Sequence, residues 1–231
     1  WYSIDDIRYK VKCVNCLEEF SIPIHSPTPK NLSWSYRTIG AFSPAAQSYG
    51  SYAVLLALRF FAITLYGRTT PIFGLEIKKK DGGDNKEKTP EADLALFFRE
   101  NNFLVKNPDL IFVECKTYTE GFGQKDIETM ELLAGNFPNA YFAFATLKKS
   151  LTTTEKRLIK SFISFLKKRH RNKNLTMKIL ILTGIELYSD KEPPRCWEEQ
   201  IKSIPTSASN FSFIFKGLIG LCELTQEIHL A

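Results

Sequence analysis

Asp93, Glu114 and Lys116 are the residues of this chain whose types and spacing point to chemistry. Glu114 and Lys116 stand two residues apart in Asp109-Leu-Ile-Phe-Val-Glu114-Cys-Lys116, and Asp93 lies upstream in Ala92-Asp-Leu-Ala-Leu-Phe-Phe98. Both stretches are apolar, aromatic and β-branched with polar residues at their margins, which predicts short buried strands. Side chains alternate faces along a strand, so Glu114 and Lys116 point the same way. Charged groups on a hydrophobic strand are costly unless they are partnered or have a task. Metal-assisted cleavage of a phosphodiester suits this set. A hard cation such as Mg²⁺ or Mn²⁺ takes oxygen ligands and commonly only one or two protein carboxylates, leaving places for water and phosphate oxygens. Asp93 and Glu114 would supply the carboxylates if their strands are neighbours, and the backbone carbonyl of Cys115 a third oxygen. A bound cation acidifies its water, and Lys116 would orient that water or stabilise charge developing on the phosphate. The plainer alternative is an exposed ion pair on an edge strand, worth under about 1 kcal/mol. The apolar run Leu110-Ile111-Phe112-Val113 predicts a central strand instead.

The elements that must hold these residues are legible in outline. An apolar helix is predicted from Pro44 to Ile63, then a first strand around Phe73-Gly-Leu-Glu76-Ile-Lys78. The polar segment 78–90, with Gly82-Gly83 as turn signal, reads as a hairpin loop into the strand that carries Asp93. After the Glu114 strand, Ile127, Met130, Leu133 and Ala134 recur at helical intervals. Tyr141 to Thr146 reads as a buried strand, and Thr152-Thr-Thr-Glu155 resembles a capping box that opens the next helix. Met177 to Thr183 closes the series as another buried strand. Strands alternating with helices imply a parallel half-sheet, and the preceding hairpin makes the sheet mixed, so the fold class is α/β.

At this point the pattern Asp93…Glu114-x-Lys116, followed by a helix with Gln124 at its start, resembles the PD-(D/E)XK, or restriction-endonuclease-like, nucleases. In style it is similar to the modification-dependent restriction enzymes and the Holliday-junction resolvases. The resemblance covers residues 45–185. It implies a restriction-endonuclease-like mixed central sheet flanked by helices. It also implies a Mg²⁺-dependent deoxyribonuclease, an endonuclease before an exonuclease, in bacterial restriction, phage defence or repair. Carried over residue by residue, Asp93 and Glu114 become metal ligands, Lys116 the catalytic lysine and Gln124 a further catalytic group. Many relatives add an acid from the first helix. The candidate helix here has none, so Gln47 or Glu76 would have to stand in. Pro108-Asp109 spells the motif's first two letters, but Asp109 lies an odd five residues from Glu114 and faces the other way on a regular strand. The competing reading is a decayed nuclease fold that binds nucleic acid or protein.

Charge and cysteines add partners. The chain has 231 residues and a formal net charge of +6. Residues 148–178 concentrate cations, among them Lys156, Lys160, Lys167, Lys168, Arg169 and Arg171, opposed only by Glu155. Leu158, Ile159, Phe162, Ile163 and Leu166 would bury the other side of that helix. Such a field attracts a phosphate backbone without reading sequence, although a solvated helix face whose terminal cations answer the helix dipole would look the same. Five cysteines argue against a disulfide framework and for a cytoplasmic protein. Cys13 and Cys16 have the spacing of half a zinc site, and Zn²⁺ would bind there only with ligands from outside this chain. No apolar run approaches a membrane span. Starting at Trp1, the chain reads as a fragment. The expected organisation is a small β-rich appendage at 1–43, a nuclease core at 44–189, and a linker with an apolar helix at 190–231. That last helix is expected to pack on the core or to contact another subunit, in a homo-oligomer or with a partner.

Overall fold

The computed structural model describes residues 2–3, 10–12, 19–21, 35–36, 50–77, 89–100, 107–169, 178–193, 195–200 and 217–230. Two compact units divide the chain, Trp1–Tyr52 and Ala53–Ala231. In the first, β1 (Tyr2–Ser3) pairs with β4 (Ser35–Tyr36), and β2 (Lys10–Lys12) with β3 (Glu19–Ser21), both antiparallel. Cys13, Cys16 and Gln47 lie outside the described residues, as do Arg171 and residues 78–88 of the polar hairpin segment.

The second unit is built on a five-stranded mixed sheet flanked by helices, in the order β5 (Gly67–Glu76), β6 (Glu91–Glu100), β7 (Asp109–Lys116), β8 (Tyr141–Thr146), β9 (Ile179–Leu182). β5, β6 and β7 pair antiparallel; β7, β8 and β9 run parallel. The Glu114 strand is therefore central, as its apolar run predicts. β5 is an edge strand, which is where a ladder tolerates Pro71. It is also longer than the sequence suggests, because its first half is polar or exposed and shows little periodic apolarity.

The parallel half needs helices to return the chain to the start of each next strand. α2 (Gln124–Asn136) does this after β7 and α3 (Thr153–Arg169) after β8. α2 buries Ile127, Met130, Leu133 and Ala134, and α3 buries Ile159, Phe162 and Leu166. These meet Phe112, Phe142, Phe144, Ile179 and Ile181 on one face of the sheet. Full burial of each large apolar side chain contributes about 1.5–3 kcal/mol. The predicted capping box at the start of α3 is present: the Glu155 amide donates to Thr152 Oγ1 at 3.3 Å, and Glu155 Oε2 accepts the Thr152 amide at 2.8 Å.

α1 (Ser51–Thr64) precedes β5, and α4 (Gly184–Leu187) and α5 (Arg195–Gln200) follow β9. α6 (Gly217–Leu230) belongs to the same compact unit as the sheet and packs on β9 and α3. Its Thr225 hydroxyl accepts the Ile181 amide at 3.2 Å, and its Gln226 side chain donates to the Ile179 carbonyl at 2.7 Å. At the far end of α6, His229 meets the buried carboxylate of Glu186 at 2.7 Å. Glu186 also accepts the Trp197 indole at 2.6 Å and the Thr183 amide at 2.7 Å, so one fully partnered carboxylate joins α4, α5 and α6. The neighbouring His229 and these hydrogen bonds overcome the effect of burial and hold Glu186 below the usual carboxylate range. Among the described residues no helix is long and apolar enough to cross a membrane.

Candidate active site

The registered ladder between β6 and β7 ends at Leu94↔Val113, although β6 begins at Glu91 and β7 runs on to Lys116. Beyond Leu94↔Val113 a side chain replaces the backbone partner: Asp93 Oδ2 accepts the Cys115 amide at 2.7 Å. On the far side of β6, Gly74 occupies the position opposite Asp93 in the β5 ladder and has φ +56, a conformation that favours glycine. Strand pairing thus loosens on both sides of Asp93, at the C-terminal end of β7.

Continuing the register sets Asp93 opposite Glu114, and cross-strand partners share a face. Lys116 follows on that face by the two-residue period. Its Nζ donates to Glu114 Oε1 at 2.8 Å and to Asp126 Oδ1 at 2.9 Å. Asp126 is anchored in turn, its Oδ2 accepting the Gly123 amide at 2.7 Å, which caps the first turn of α2. The result is a run of alternating charges, from Asp93 and Glu114 through Lys116 to Asp126, contributed by β6, β7 and α2.

Burial governs the electrostatics. Glu114 is 8% exposed, and desolvation followed by the nearby Asp93 charge pushes its carboxyl up to about 8, against the pull of Lys116. Asp93 is raised as well, chiefly by burial, with the Cys115 amide opposing. Burial works against the Lys116 ammonium, but Glu114 and Asp126 outweigh it and hold the group charged. Two carboxylates crowded in a half-dry corner are uncomfortable together as anions, and added positive charge relieves them. Their number is also what a hard, water-retaining cation uses. On a strand a residue's amide and carbonyl turn to the same side, so the Cys115 carbonyl also faces β6 and Asp93. Among the described residues no group of three or more His, Cys, Asp or Glu side chains is gathered to hold a metal. A cation at this corner would have two carboxylates and a carbonyl as donors, a set that a Mg²⁺-type ion could use.

The remaining predicted residues are placed as follows. The Cys115 thiol is buried on the opposite face from Glu114, where desolvation raises its pKa further. Gln124 opens α2 but its side chain is exposed, and it is Asp126, two residues on, that reaches Lys116. Glu76 pairs in register with Glu91, on the face that carries Asp93; Glu91 helps to raise Asp93. Asp109 lies at the other end of β7, paired with Phe98, and burial raises its carboxyl.

The cations are divided. Arg157, Lys160, Lys167, Lys168 and Arg169 are exposed on α3 and Lys156 is half-buried. Lys148 is spent inward, its Nζ 3.3 Å from the buried Glu155 Oε1. Arg169 lies over the Phe165 ring at 5.8 Å. Because β8 and β9 are parallel, α3 runs back from the end where Glu114 and Lys116 lie. Along α3, Lys167 and Lys168 lie about 21–23 Å from its first residue, Thr153, at that end.

Sequence reasoning missed Asp126. It also missed the inward role of Glu155, whose Oε1 accepts the Phe122 amide at 3.2 Å and so fixes the loop that follows Lys116. A Cβ on Gly121 would stand 2.7 Å from that same oxygen, so a side chain there would push Glu155 aside. Comparison with protein-family models, with curated proteins and with solved structures returned no match.

Proposed function

We propose that this chain is a divalent-cation-dependent nuclease of the restriction-endonuclease-like kind, hydrolysing phosphodiester bonds of DNA in bacterial restriction, phage defence or repair. The observation that carries the reading is the meeting of Asp93 and Glu114 from adjacent central strands, with the Lys116 ammonium salt-bridged to Glu114 at 2.8 Å. Asp93, Glu114 and the Cys115 carbonyl would hold Mg²⁺ or Mn²⁺, which when bound supplies Lewis acidity toward a phosphate oxygen and acidifies a coordinated water.

The chain's own groups do the rest. The Cys115 amide fixes the Asp93 carboxylate, so its orientation does not depend on a flexible rotamer. Lys116 is kept charged by Glu114 and Asp126 and is available to stabilise negative charge developing on the phosphate. Asp126 is a positioning residue, holding Lys116 from the first turn of α2. The exposed cations of α3 draw in the phosphate backbone. Glu114→Ala should abolish cleavage of plasmid DNA in Mg²⁺ while leaving the circular-dichroism spectrum intact; full cleavage by that variant would remove the assignment.

One observation favours a second reading. α1, over Ser51–Thr64, offers no acidic residue to complete the site. On this reading the fold binds nucleic acid or a partner protein without cutting, and the wild type would bind DNA in Mg²⁺ and leave it intact.

A further inference from the structure

Tyr118 and Tyr188 are exposed, 53% and 39%, yet paired with one another. Their rings lie nearly parallel, 8° apart with centroids at 6.1 Å, and their hydroxyls hydrogen-bond at 2.6 Å. Tyr118 comes two residues after Lys116, and Tyr188 directly follows α4 beyond the end of β9. β8 lies between those two strands, so the phenols reach across its end. The loop leaving β8 carries Lys148 and the exposed Lys149, and the Lys148 carbonyl accepts the Gly184 amide at 2.7 Å, tying that loop to the start of α4. Two solvent-facing aromatic rings therefore stand with an exposed cation at the end of the sheet that holds Asp93, Glu114 and Lys116.

We infer that the Tyr118–Tyr188 pair is a stacking platform for an unpaired nucleobase, which directs the adjacent site toward single-stranded or splayed DNA. This rests on the nuclease reading for its consequence, though not for its test. Every base has a flat face that stacks on an aromatic ring without regard to sequence. Within a duplex that face is covered by its neighbours, so exposed rings beside a cleavage site select strands whose bases are free. Two rings held parallel by their own hydrogen bond are oriented before a base arrives, which reduces the ordering cost of binding. Lys149 supplies charge for the adjoining phosphate.

The test is fluorescence anisotropy with a labelled single-stranded oligonucleotide and the matching duplex, in EDTA so that no cleavage intervenes. The proteins are the full chain, Tyr118→Leu, Tyr188→Leu and Tyr118→Phe. Tyr118→Leu and Tyr188→Leu should each weaken single-strand binding about tenfold and leave duplex binding unchanged. Tyr118→Phe keeps the ring and loses only the hydrogen bond that orients it, and should weaken single-strand binding less than Tyr118→Leu does. Undiminished single-strand binding by both leucine variants overturns the platform, as does an equal loss in Tyr118→Phe, which would make the pair a structural tie. Wild-type protein that binds no single strand overturns it too. A nuclease that cuts DNA while the leucine variants bind normally would defeat this inference alone; a stacking loss in a protein that never cuts would defeat the nuclease reading alone.

Discussion

Asp93 does for Cys115 what a neighbouring strand would otherwise do: its Oδ2 takes the Cys115 amide at 2.7 Å where the β6–β7 ladder has ended. The carboxylate thus caps the strand end and faces Glu114, so one side chain serves both the sheet and the site. Asp93→Asn separates the two roles, since an amide oxygen still accepts the bond but carries no charge. The variant should remain folded, and the Glu114 carboxyl should titrate below about 8 yet above its ordinary value, because burial remains the larger cause. Carboxyl-carbon NMR titration of wild type and variant reads this directly.

Stability of the cation-free protein should depend on Glu114. Its folded pKa is raised, so the folded state holds a proton that the unfolded chain releases earlier. The contribution is complete below the unfolded value, 4.5, and disappears as pH rises through about 8. Urea unfolding in EDTA should therefore show stability falling with pH across that window, by at most about 1.4 kcal/mol per pH unit from this group. Glu114→Gln should flatten the slope; an equal slope in the variant would assign it elsewhere.

Asp126 and Gln124 should differ sharply in cleavage. Asp126→Ala removes both the partner of Lys116 and the cap on the Gly123 amide, and should cost roughly 1 kcal/mol of stability as well as most of the activity. Asp126→Asn, which keeps an acceptor for the amide, should recover stability but not activity. Gln124→Ala, at an exposed side chain, should cleave normally.

Glu186→Ala should be the most damaging single change away from the site. It strands the His229 ring, the Trp197 indole and the Thr183 amide in the interior. A loss of about 3–5 kcal/mol is expected in urea denaturation.

Lys167→Glu with Lys168→Glu tests whether DNA extends along α3. Reversal should weaken binding at low salt and reduce the slope of log K against log salt by roughly one for each phosphate that is no longer neutralised. Cleavage of saturated substrate should persist, because these cations lie at the far end of α3 from Lys116.

Much of the arrangement was legible because strands alternate and buried runs are apolar. Val113-Glu114-Cys115-Lys116 shows its two faces in its letters, and Thr152 with Glu155 declares a helix start. Asp126 was not legible, because an acid in a first turn reads as a cap and only the fold turns its second oxygen to Lys116. Gln124 opens α2 with its side chain in solvent, and Asp126, two residues and about 200° of rotation further on, is the one that meets Lys116. Lys148 looked like one more surface cation and is drawn inward by Glu155. The Glu186, Trp197 and His229 cluster joins residues up to 43 apart in sequence, a distance at which local pattern carries no signal.

Cleavage of supercoiled and linear DNA in Mg²⁺ or Mn²⁺ by wild type and Lys116→Ala is the most direct measurement. Metal-dependent cutting by the wild type, lost in Lys116→Ala while DNA binding in EDTA is kept, is the predicted result. Equal cutting by both proteins, or none by the wild type with either cation, would contradict a phosphodiesterase site built on Asp93, Glu114 and Lys116.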